Sequence, residues 1–236
     1  MDSKELDNNK TDYLASGLKS LAGAIPFGGT FVGEIFGTSI PHQRLDRFAD
    51  FLKQLAEKVE TLENDSKCWF DELKKSKENI FLYELGIRYS LDTNSETLHN
   101  CFASVIFSCI QNKDLDNLKN ERIMKSISEL NEAEIIWLIW FAKPKGLFHQ
   151  SEFEKKYSAI LAPRSESSGR EEDKIHNALK MQYLTNLTEK GLLYRRNVRI
   201  GSPGYITNIN DLGLTSYGAL IVNALYDQNF YGSISS

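Results

Sequence analysis

The sequence predicts a mainly α-helical protein, in which an N-terminal helical bundle (residues 1–126) precedes a winged-helix-like domain with one β-hairpin (residues 127–236). Two observations lead to this fold class. Apolar residues recur at alternating spacings of three and four between residues 44 and 62, which is the period of an amphipathic helix. After residue 131, three helical segments, a strand–turn–strand pattern and a last helix follow one another, which is the plan of a winged helix.

Composition limits the classes of function. The 236 residues are 41% hydrophobic and 25% charged, as in chains that bury a core. The net charge of −4 excludes a protein that binds nucleic acid over its whole surface, because such proteins are strongly basic. The polar first ten residues lack the layout of a signal peptide, and the three cysteines form no CxxC pair. We therefore expect a cytoplasmic protein.

The N-terminal half of the chain is predicted to consist mainly of helices. One is expected from about Thr11 to Ala24, before Pro26. The helix over 44–62 has an apolar seam of Leu45, Phe48, Leu52, Leu55, Val59 and Leu62. Further helices are expected over 67–90, from a cap at Asn94 or Ser95 to Ile110 with a polar back face, and over about 114–126.

Cap and turn signals organise the C-terminal half. Residues Asn131 to Glu134 resemble a capping box before an apolar helix over 135–141. A second helix is expected from Ser151 to about 161, and a third over 171–190, ended by Gly191. Residues 192–199 and 205–208 should pair as antiparallel strands, and a last helix should begin near Thr215. The order helix, Gly191-Leu192-Leu193, hairpin and Leu214-Thr215-x-x-Gly218 resembles the end of many bacterial winged-helix proteins.

A winged helix raises the question of DNA binding. The basic residues of the predicted wing, Lys190, Arg195, Arg196 and Arg199, could neutralise phosphates. On the third helix, inward-facing Ile175, Leu179, Tyr183 and Leu187 would leave Asn177, Met181 and Thr188 outward, and of these only Asn177 is a typical base reader.

Charge argues against DNA at the same helix. Its first turn holds Glu171, Glu172 and Asp173, which would repel a phosphate backbone. Residues 126–236 contain 12 basic and 12 acidic residues, so the expected domain has no net positive charge. The sequence therefore favours protein contacts or a structural role over DNA binding, which stays an alternative.

The segment 20–40 is rich in glycine and apolar residues. Gly29, Gly33 and Gly37 form a ridge that lets helices approach closely, whether in lipid or in a packed protein. Pro26 and Glu34 interrupt the run, which is shorter than the ~20 residues that span a bilayer. We expect close helix packing or self-association, and membrane contact of residues 11–40 only under a trigger.

Motifs of catalysis are not recognised in the sequence. Gly28 to Gly33 lacks the lysine of a phosphate loop, and neither a nucleophile elbow nor HExxH occurs. His99 is two residues from Cys101, which places them about 200° apart on a helix. The prediction is therefore a protein that is not an enzyme, with no catalytic residues, cofactor or metal.

Two stretches resemble a known group of proteins. The first runs from Leu82-Tyr83-Glu84-Leu85-Gly86 to Cys101-Phe102-Ala103-Ser104-Val105, and the second from Ile123 to Ser128-Glu129-Leu130-Asn131 and Glu134. Their layout is similar to that of uncharacterised bacterial helical proteins, including the Abi-alpha group associated with abortive phage infection. The resemblance covers residues 80–142 and implies a bacterial origin and a role in antiviral defence. It implies no catalytic residue.

These observations give one functional hypothesis and two alternatives. The hypothesis is a non-enzymatic binding protein of a bacterial defence or regulatory system, with the winged helix as sensor or docking module and a protein partner or self-association. The first alternative is a membrane-perturbing effector that uses residues 11–40. The second is a DNA-binding regulator that uses the basic wing.

Overall fold

In a computed structural model, the protein is described over residues 42–60, 73, 75–111, 117–142, 152–163, 169–196 and 209–225. These residues are mainly helical, with nine α-helices, one short 3-10 helix and one pair of antiparallel strands, so the predicted class is confirmed at that level. Contacts divide the chain into two compact units, Met1–Lys125 and Ser126–Ser236. That residues 1–126 and 127–236 are separate domains stays a prediction. None of the described helices has the length and apolar character needed to cross a membrane.

The first unit is built on three helices that pack on one another: α1 (His42–Glu60), α2 (Lys77–Leu91) and α3 (Glu96–Gln111). The predicted seam of α1 is confirmed where it is described, since Phe48, Leu52 and Leu55 are fully buried and Val59 nearly so. Phe51 is also fully buried, which widens the seam into a stripe that two helices can cover.

Side-chain caps decide where α2 and α3 begin. The Ser76 hydroxyl accepts the Asn79 amide at 3.3 Å, and the Ser95 hydroxyl accepts the Leu98 amide at 3.2 Å. Each cap satisfies a backbone donor that the first helical turn leaves without a partner. Of the two predicted caps for α3, Ser95 is the one that the structure uses. The helix predicted over 67–90 is observed as α2 over Lys77–Leu91, and Leu73 and Lys75 are also helical.

Helix α3 is the central helix of this unit. The apolar residues predicted to share one side of α3 are buried where their side chains are described: Leu98, Cys101, Phe102, Val105, Ile106 and Cys109. Ala103, Ser104 and Phe107 are buried as well, so the helix is enclosed on all sides between Cys101 and Phe107. The prediction of a polar back face along its length was wrong there. The reason is that α1 and α2 both pack on it. A last helix, α4 (Asn117–Ser128), buries Ile123 and Met124.

The second unit begins with the predicted capping box. The Asn131 side-chain oxygen accepts the Glu134 amide at 2.9 Å, and the Glu134 carboxylate accepts the Asn131 amide at 2.9 Å. This reciprocal pair starts α5 (Glu132–Ala142), which is buried from Glu134 to Ile139. Because α5 is apolar all round, it forms the centre of the second unit.

The next helical segment is interrupted. The single helix predicted over about 151–161 is observed as α6 (Glu152–Lys156) and α7 (Ser158–Leu161), separated by Tyr157. Tyr157 has φ −104° and ψ 25°, outside the helical range. Its ring packs 4.8 Å from that of Phe153, which is fully buried.

Helix α8 (Glu171–Glu189) ends as the sequence predicted. Gly191 has φ +70°, a conformation that favours glycine. The Leu192 amide donates to the Leu187 carbonyl at 2.9 Å and the Gly191 amide to the Thr188 carbonyl at 3.0 Å, which is the Schellman pattern. The chain then enters strand β1 (Leu193–Arg195).

The partner of β1 that the structure describes lies beyond the segment that the sequence suggested. After the 3-10 helix Ile209–Asp211, strand β2 (Leu212–Leu214) pairs antiparallel with β1, with Leu193 opposite Leu214. The predicted return strand over 205–208 lies outside the described residues. The prediction stopped short of β2 because Leu212-Gly213-Leu214 is very short and leads directly into the last helix.

That helix, α9 (Ser216–Leu225), starts at another local cap. The Thr215 hydroxyl accepts the Gly218 amide at 2.9 Å and lies 2.8 Å from the Gly191 carbonyl. A Cβ at Gly218 would lie 2.3 Å from the carbonyl oxygen of Leu192. The predicted Leu214-Thr215-x-x-Gly218 phrase therefore describes a helix start that packs against the end of α8 and the start of β1.

Candidate interaction surfaces

An exposed apolar pair marks one face of α8. Ile175 and Leu179 are 54% and 48% exposed, although the sequence prediction placed both inward. Leu184 and Leu187 are fully buried instead. Ile175 and Leu184 are nine residues apart, which is about 180° around an α-helix, so burying one exposes the other. The prediction was wrong for Ile175 and Leu179 and right for Leu187; Tyr183 is half-buried.

The buried side of α8 packs against α5 and includes a carboxylate. Asp173 is 3% exposed and pairs with Arg170, its Oδ2 lying 2.9 Å from the guanidinium Nε. By contrast, Glu171 and Glu172 are exposed at the same helix start. Three acidic residues that are adjacent in sequence therefore divide between the interior and the surface, and Glu171 and Glu172 border the apolar pair on its N-terminal side.

Asn177, the predicted base reader, does not face fully outward. It is half-buried and lies on the side of α8 that carries Asp173 and Leu184. Residues 173, 177 and 184 share that side because they are separated by four and seven residues. The sequence predicted that Asn177 faces outward, whereas in the structure it lies at the edge of the interior.

The predicted basic wing residues are spread over different environments. Lys190 pairs with Glu129 at 3.2 Å, Arg195 is half-buried and Arg196 is exposed. Arg199 lies outside the described residues. The basic group is thus described in part, with Arg196 as its exposed member on the hairpin.

An aromatic side chain that the sequence reasoning missed lies beside Arg196. Tyr194 is 47% exposed and is paired in register with Gly213. A Cβ at Gly213 would lie 2.7 Å from Tyr194 Cε1 and 2.9 Å from Arg196 Nε. Both side chains therefore lie across this glycine, which must lack a side chain for them to do so. The sequence signal was the alternation in the strand, which turns Tyr194 outward when Leu193 is inward.

The histidine and cysteine side chains described in the first unit are buried. The His99 ring Nε2 lies 3.0 Å from the Ser90 carbonyl oxygen, and His99 is 1% exposed. Cys101 and Cys109 are free and buried, and burial raises the pKa of the Cys109 thiol to about 12. Cys109 is therefore a neutral thiol near pH 7. Within the part of the chain that the structure describes, His, Cys, Asp and Glu side chains form no cluster that could hold a metal ion.

The glycine ridge and the membrane hypothesis concern a part of the chain that is not described. Gly29, Gly33 and Gly37, and residues 11–40 as a whole, lie outside the described residues.

Comparisons with known proteins found no match: no family model, no curated protein and no solved structure matches the chain.

Proposed function

We propose that this chain is a non-enzymatic interaction protein whose C-terminal unit is a winged-helix-like docking module with α8 as its contact helix. The observation that carries the proposal is the exposure of Ile175 and Leu179 on a helix whose Leu184 and Leu187 are fully buried. Apolar side chains that are adjacent and half exposed lose unfavourable contact with water when a partner covers them.

The order of elements supports the winged-helix-like assignment. Helices α5, α6 with α7, and α8 are followed by the β1–β2 pair and by α9. In a winged helix that reads DNA, the third helix enters the major groove. Here the corresponding helix presents exposed Ile175 and Leu179 beside exposed Glu172, while exposed Glu171 pairs with Lys174 at 3.5 Å, so the surface is apolar with an acidic edge. Such a surface suits a protein partner better than a phosphate backbone.

The partner that complements this surface has an apolar centre and a basic rim. The chain itself carries such a surface on the hairpin, where exposed Tyr194 lies beside exposed Arg196. Tyrosine and arginine are enriched at the energetic centres of protein interfaces. We therefore propose a second copy of the chain as the partner, with α8 of one copy against the hairpin of the next.

Sedimentation velocity over about 5 to 500 µM protein, the range of weak self-association, tests the proposal. We expect the average mass to rise with concentration. The double variant Ile175→Ser/Leu179→Ser should weaken association at least tenfold, because it removes apolar area from the contact. The matched control is Phe81→Ser/Leu118→Ser, which removes exposed apolar side chains from α2 and α4. A chain that stays monomeric throughout, or equal effects of the two double variants, would contradict the proposal.

DNA binding by the hairpin is the second candidate, because Tyr194 and Arg196 are exposed together. An arginine can neutralise a phosphate, and an aromatic ring can stack on a base. The test is titration of a labelled duplex and a labelled single strand at low and moderate salt. Binding that weakens steeply with salt and in Arg195→Ala/Arg196→Ala/Arg199→Ala would establish this function. Absence of binding at low salt would remove it.

A role in bacterial antiviral defence is proposed on the resemblance of residues 80–142 to the Abi-alpha group alone. The corresponding test is phage plating on bacteria that express the chain. Protection should be lost in Ile175→Ser/Leu179→Ser if defence requires the α8 contact. Equal plaque numbers with and without the chain, over a panel of unrelated phages, would argue against a defence role.

A further inference from the structure

A cavity of about 340 Å³ lies within the second unit. Its walls come from α5, α6, the end of α7, α8 and the 3-10 helix. The apolar members of the wall are Trp137, Trp140, Leu161, Ala162, Pro163 and Ile209, and the polar ones are Glu154, Lys180 and Asn210. A volume of a few hundred cubic ångströms and a mostly apolar wall with a few polar groups are typical of small-molecule sites.

The polar side chains of this wall already interact within the chain. Glu154 Oε1 accepts the Trp140 Nε1 proton at 2.9 Å, and Glu154 has a further interaction. The Lys180 Nζ lies 5.4 Å from the centroid of the Trp137 ring, a cation–π contact, and Lys180 also has a further interaction. Asn210 is engaged as well. Each polar side chain among the described residues of the wall therefore has a partner before a ligand binds.

The two indoles contribute apolar surface rather than a hydrogen-bonding group. Trp140 has one donor, Nε1, and Glu154 accepts it. Trp137 Nε1 is buried without accessible surface, so a ligand does not contact that atom. The rings are held edge-to-face, with centroids 5.4 Å apart and planes at 74°. Trp137 is 2% exposed and Trp140 is half-buried, so Trp140 supplies most of the accessible ring surface.

We propose that this cavity binds a small neutral molecule with an apolar body of one or two fused rings. The body would pack against the Trp140 ring, Leu161 and Ile209, which removes apolar surface of both partners from water. A cavity of about 150 Å³ is enough for benzene, so about 340 Å³ has room for two fused rings. A charged ligand is disfavoured, because it would give up water for a wall whose charged groups are already engaged.

Binding in this cavity is separate from self-association through α8. The cavity belongs to a single chain, and Ile175 and Leu179 are not among the residues that line it. A monomeric chain that binds the ligand would contradict only the self-association. A chain that self-associates without binding the ligand would contradict only the cavity proposal.

The indole N–H signals of the cavity tryptophans report on binding in heteronuclear NMR. The chain has three tryptophans, so the full chain with Trp69→Phe gives two such signals, from Trp137 and Trp140. The probes are three indoles of nearly equal size: neutral indole-3-ethanol, cationic tryptamine and anionic indole-3-acetate. We expect saturable shifts with indole-3-ethanol at a dissociation constant of about 50 µM to 1 mM, the range for ligands of this size. Both charged analogues should bind at least about tenfold more weakly, because their charge loses hydration without gaining a free counter-charge.

The main variant fills the cavity and leaves its other walls intact. Ala162→Phe should weaken binding of indole-3-ethanol at least about tenfold, because the larger side chain takes up space that the ligand needs. Ala159→Phe is the matched control, since Ala159 is exposed on α7 and is not among the residues that line the cavity; binding should be unchanged. Ile209→Ala removes apolar contact and should weaken binding about threefold or more. Lys180→Met should change it by less than about threefold, because a neutral ligand does not need the ammonium.

Circular dichroism verifies that each variant folds, and Ile209→Ala decides if Ala162→Phe does not. The proposal is overturned by unchanged N–H signals up to about 10 mM indole-3-ethanol, or by equal binding of tryptamine or indole-3-acetate. Equal binding by folded Ala162→Phe and Ala159→Phe would place the ligand elsewhere on the chain. Loss of binding in folded Lys180→Met would show that the ligand is recognised by charge, contrary to the proposal.

Discussion

Asn186 donates its side-chain amide to Glu134 Oε1 at 2.9 Å, joining the last turns of α8 to the first turn of α5. The other carboxylate oxygen of Glu134 accepts the Asn131 backbone amide. One buried carboxylate therefore caps α5 and also bonds to a side chain of α8. The bond to Asn186 joins residues that are 52 positions apart in sequence, whereas the bond to Asn131 joins residues only three positions apart. The cap was predictable from sequence, and the bridge to Asn186 was not.

Removal of this carboxylate should destabilise the second unit. We expect Glu134→Ala to lower the free energy of unfolding by about 2 kcal/mol, because it removes a cap and leaves the half-buried Asn186 side-chain amide without this partner. Urea unfolding followed by circular dichroism measures the loss. Glu172→Ala, an exposed acidic residue in the first turn of α8, is the control and should change stability by less than ~0.5 kcal/mol. Equal effects of the two substitutions would be inconsistent with the bridge.

The orientation of α8 can be tested by two leucines on different sides of it. Leu184 is fully buried, whereas Leu179 is 48% exposed. Leu184→Ala should therefore cost about 3 kcal/mol of unfolding free energy, and Leu179→Ala less than ~1 kcal/mol. The same urea titration provides both values. The opposite ranking would favour the orientation that the sequence pattern suggested.

Local signals in the sequence were sufficient for four helix ends, namely the starts of α3, α5 and α9 and the end of α8. Asn131 with Glu134, Ser95, Gly191 and Thr215 each act through hydrogen bonds or backbone angles within a few residues, so their roles can be read from adjacent sequence. A helix cap involves only residues that are close in sequence, so tertiary contacts do not change which residue forms it.

Surfaces and cavities depended on contacts that the sequence does not specify. Helix α8 has apolar residues on several sides, and packing against α5 selects Leu184 and Leu187 for the interior rather than Ile175 and Leu179. Likewise, Trp137 and Trp140 of α5 line one cavity of the second unit together with Glu154 of α6 and Lys180 of α8. Only the packing of these three helices brings the four side chains together. Tertiary contacts decide between helix faces whose apolar patterns are equally good.

Two buried glycines should respond differently to a methyl group. A Cβ at Gly218 would meet the Leu192 backbone oxygen at 2.3 Å, whereas a Cβ at Gly86 would meet the end of the Ile106 side chain at 2.5 Å. Backbone cannot move aside without disturbing β1, but the end of a side chain can shift. We expect Gly218→Ala to cost about 2–3 kcal/mol of stability.

Gly86→Ala should stay within ~1 kcal/mol of wild type, because alanine gains about that much helix propensity and partly offsets the repacking. Thermal unfolding of both variants makes the comparison. A Gly218→Ala protein as stable as wild type would mean that α9 does not pack closely against Leu192.

The thiol of Cys109 should be protected in the folded chain. Burial raises its pKa from 9.0 to about 12, so the folded state keeps a proton that the unfolded state releases near pH 9. The thiolate is the reactive form, and we expect alkylation at pH 8.5 to be at least ~100-fold slower in native protein than in urea. Because the folded pKa is the higher one, this group's contribution to stability is complete below pH 9 and is lost as the pH rises towards 12.

Iodoacetamide labelling in a Cys68→Ser background, read by peptide mass spectrometry, resolves Cys109 from Cys101, which is also buried. The matched reference is a surface thiol introduced by Ser216→Cys, since Ser216 is exposed at the start of α9. This introduced thiol should be labelled at nearly the same rate in native and unfolded protein, whereas Cys109 should be labelled only as fast as the chain unfolds. Native labelling of Cys109 at the rate of the introduced thiol would show that this thiol is accessible in the folded chain, contrary to its burial in α3.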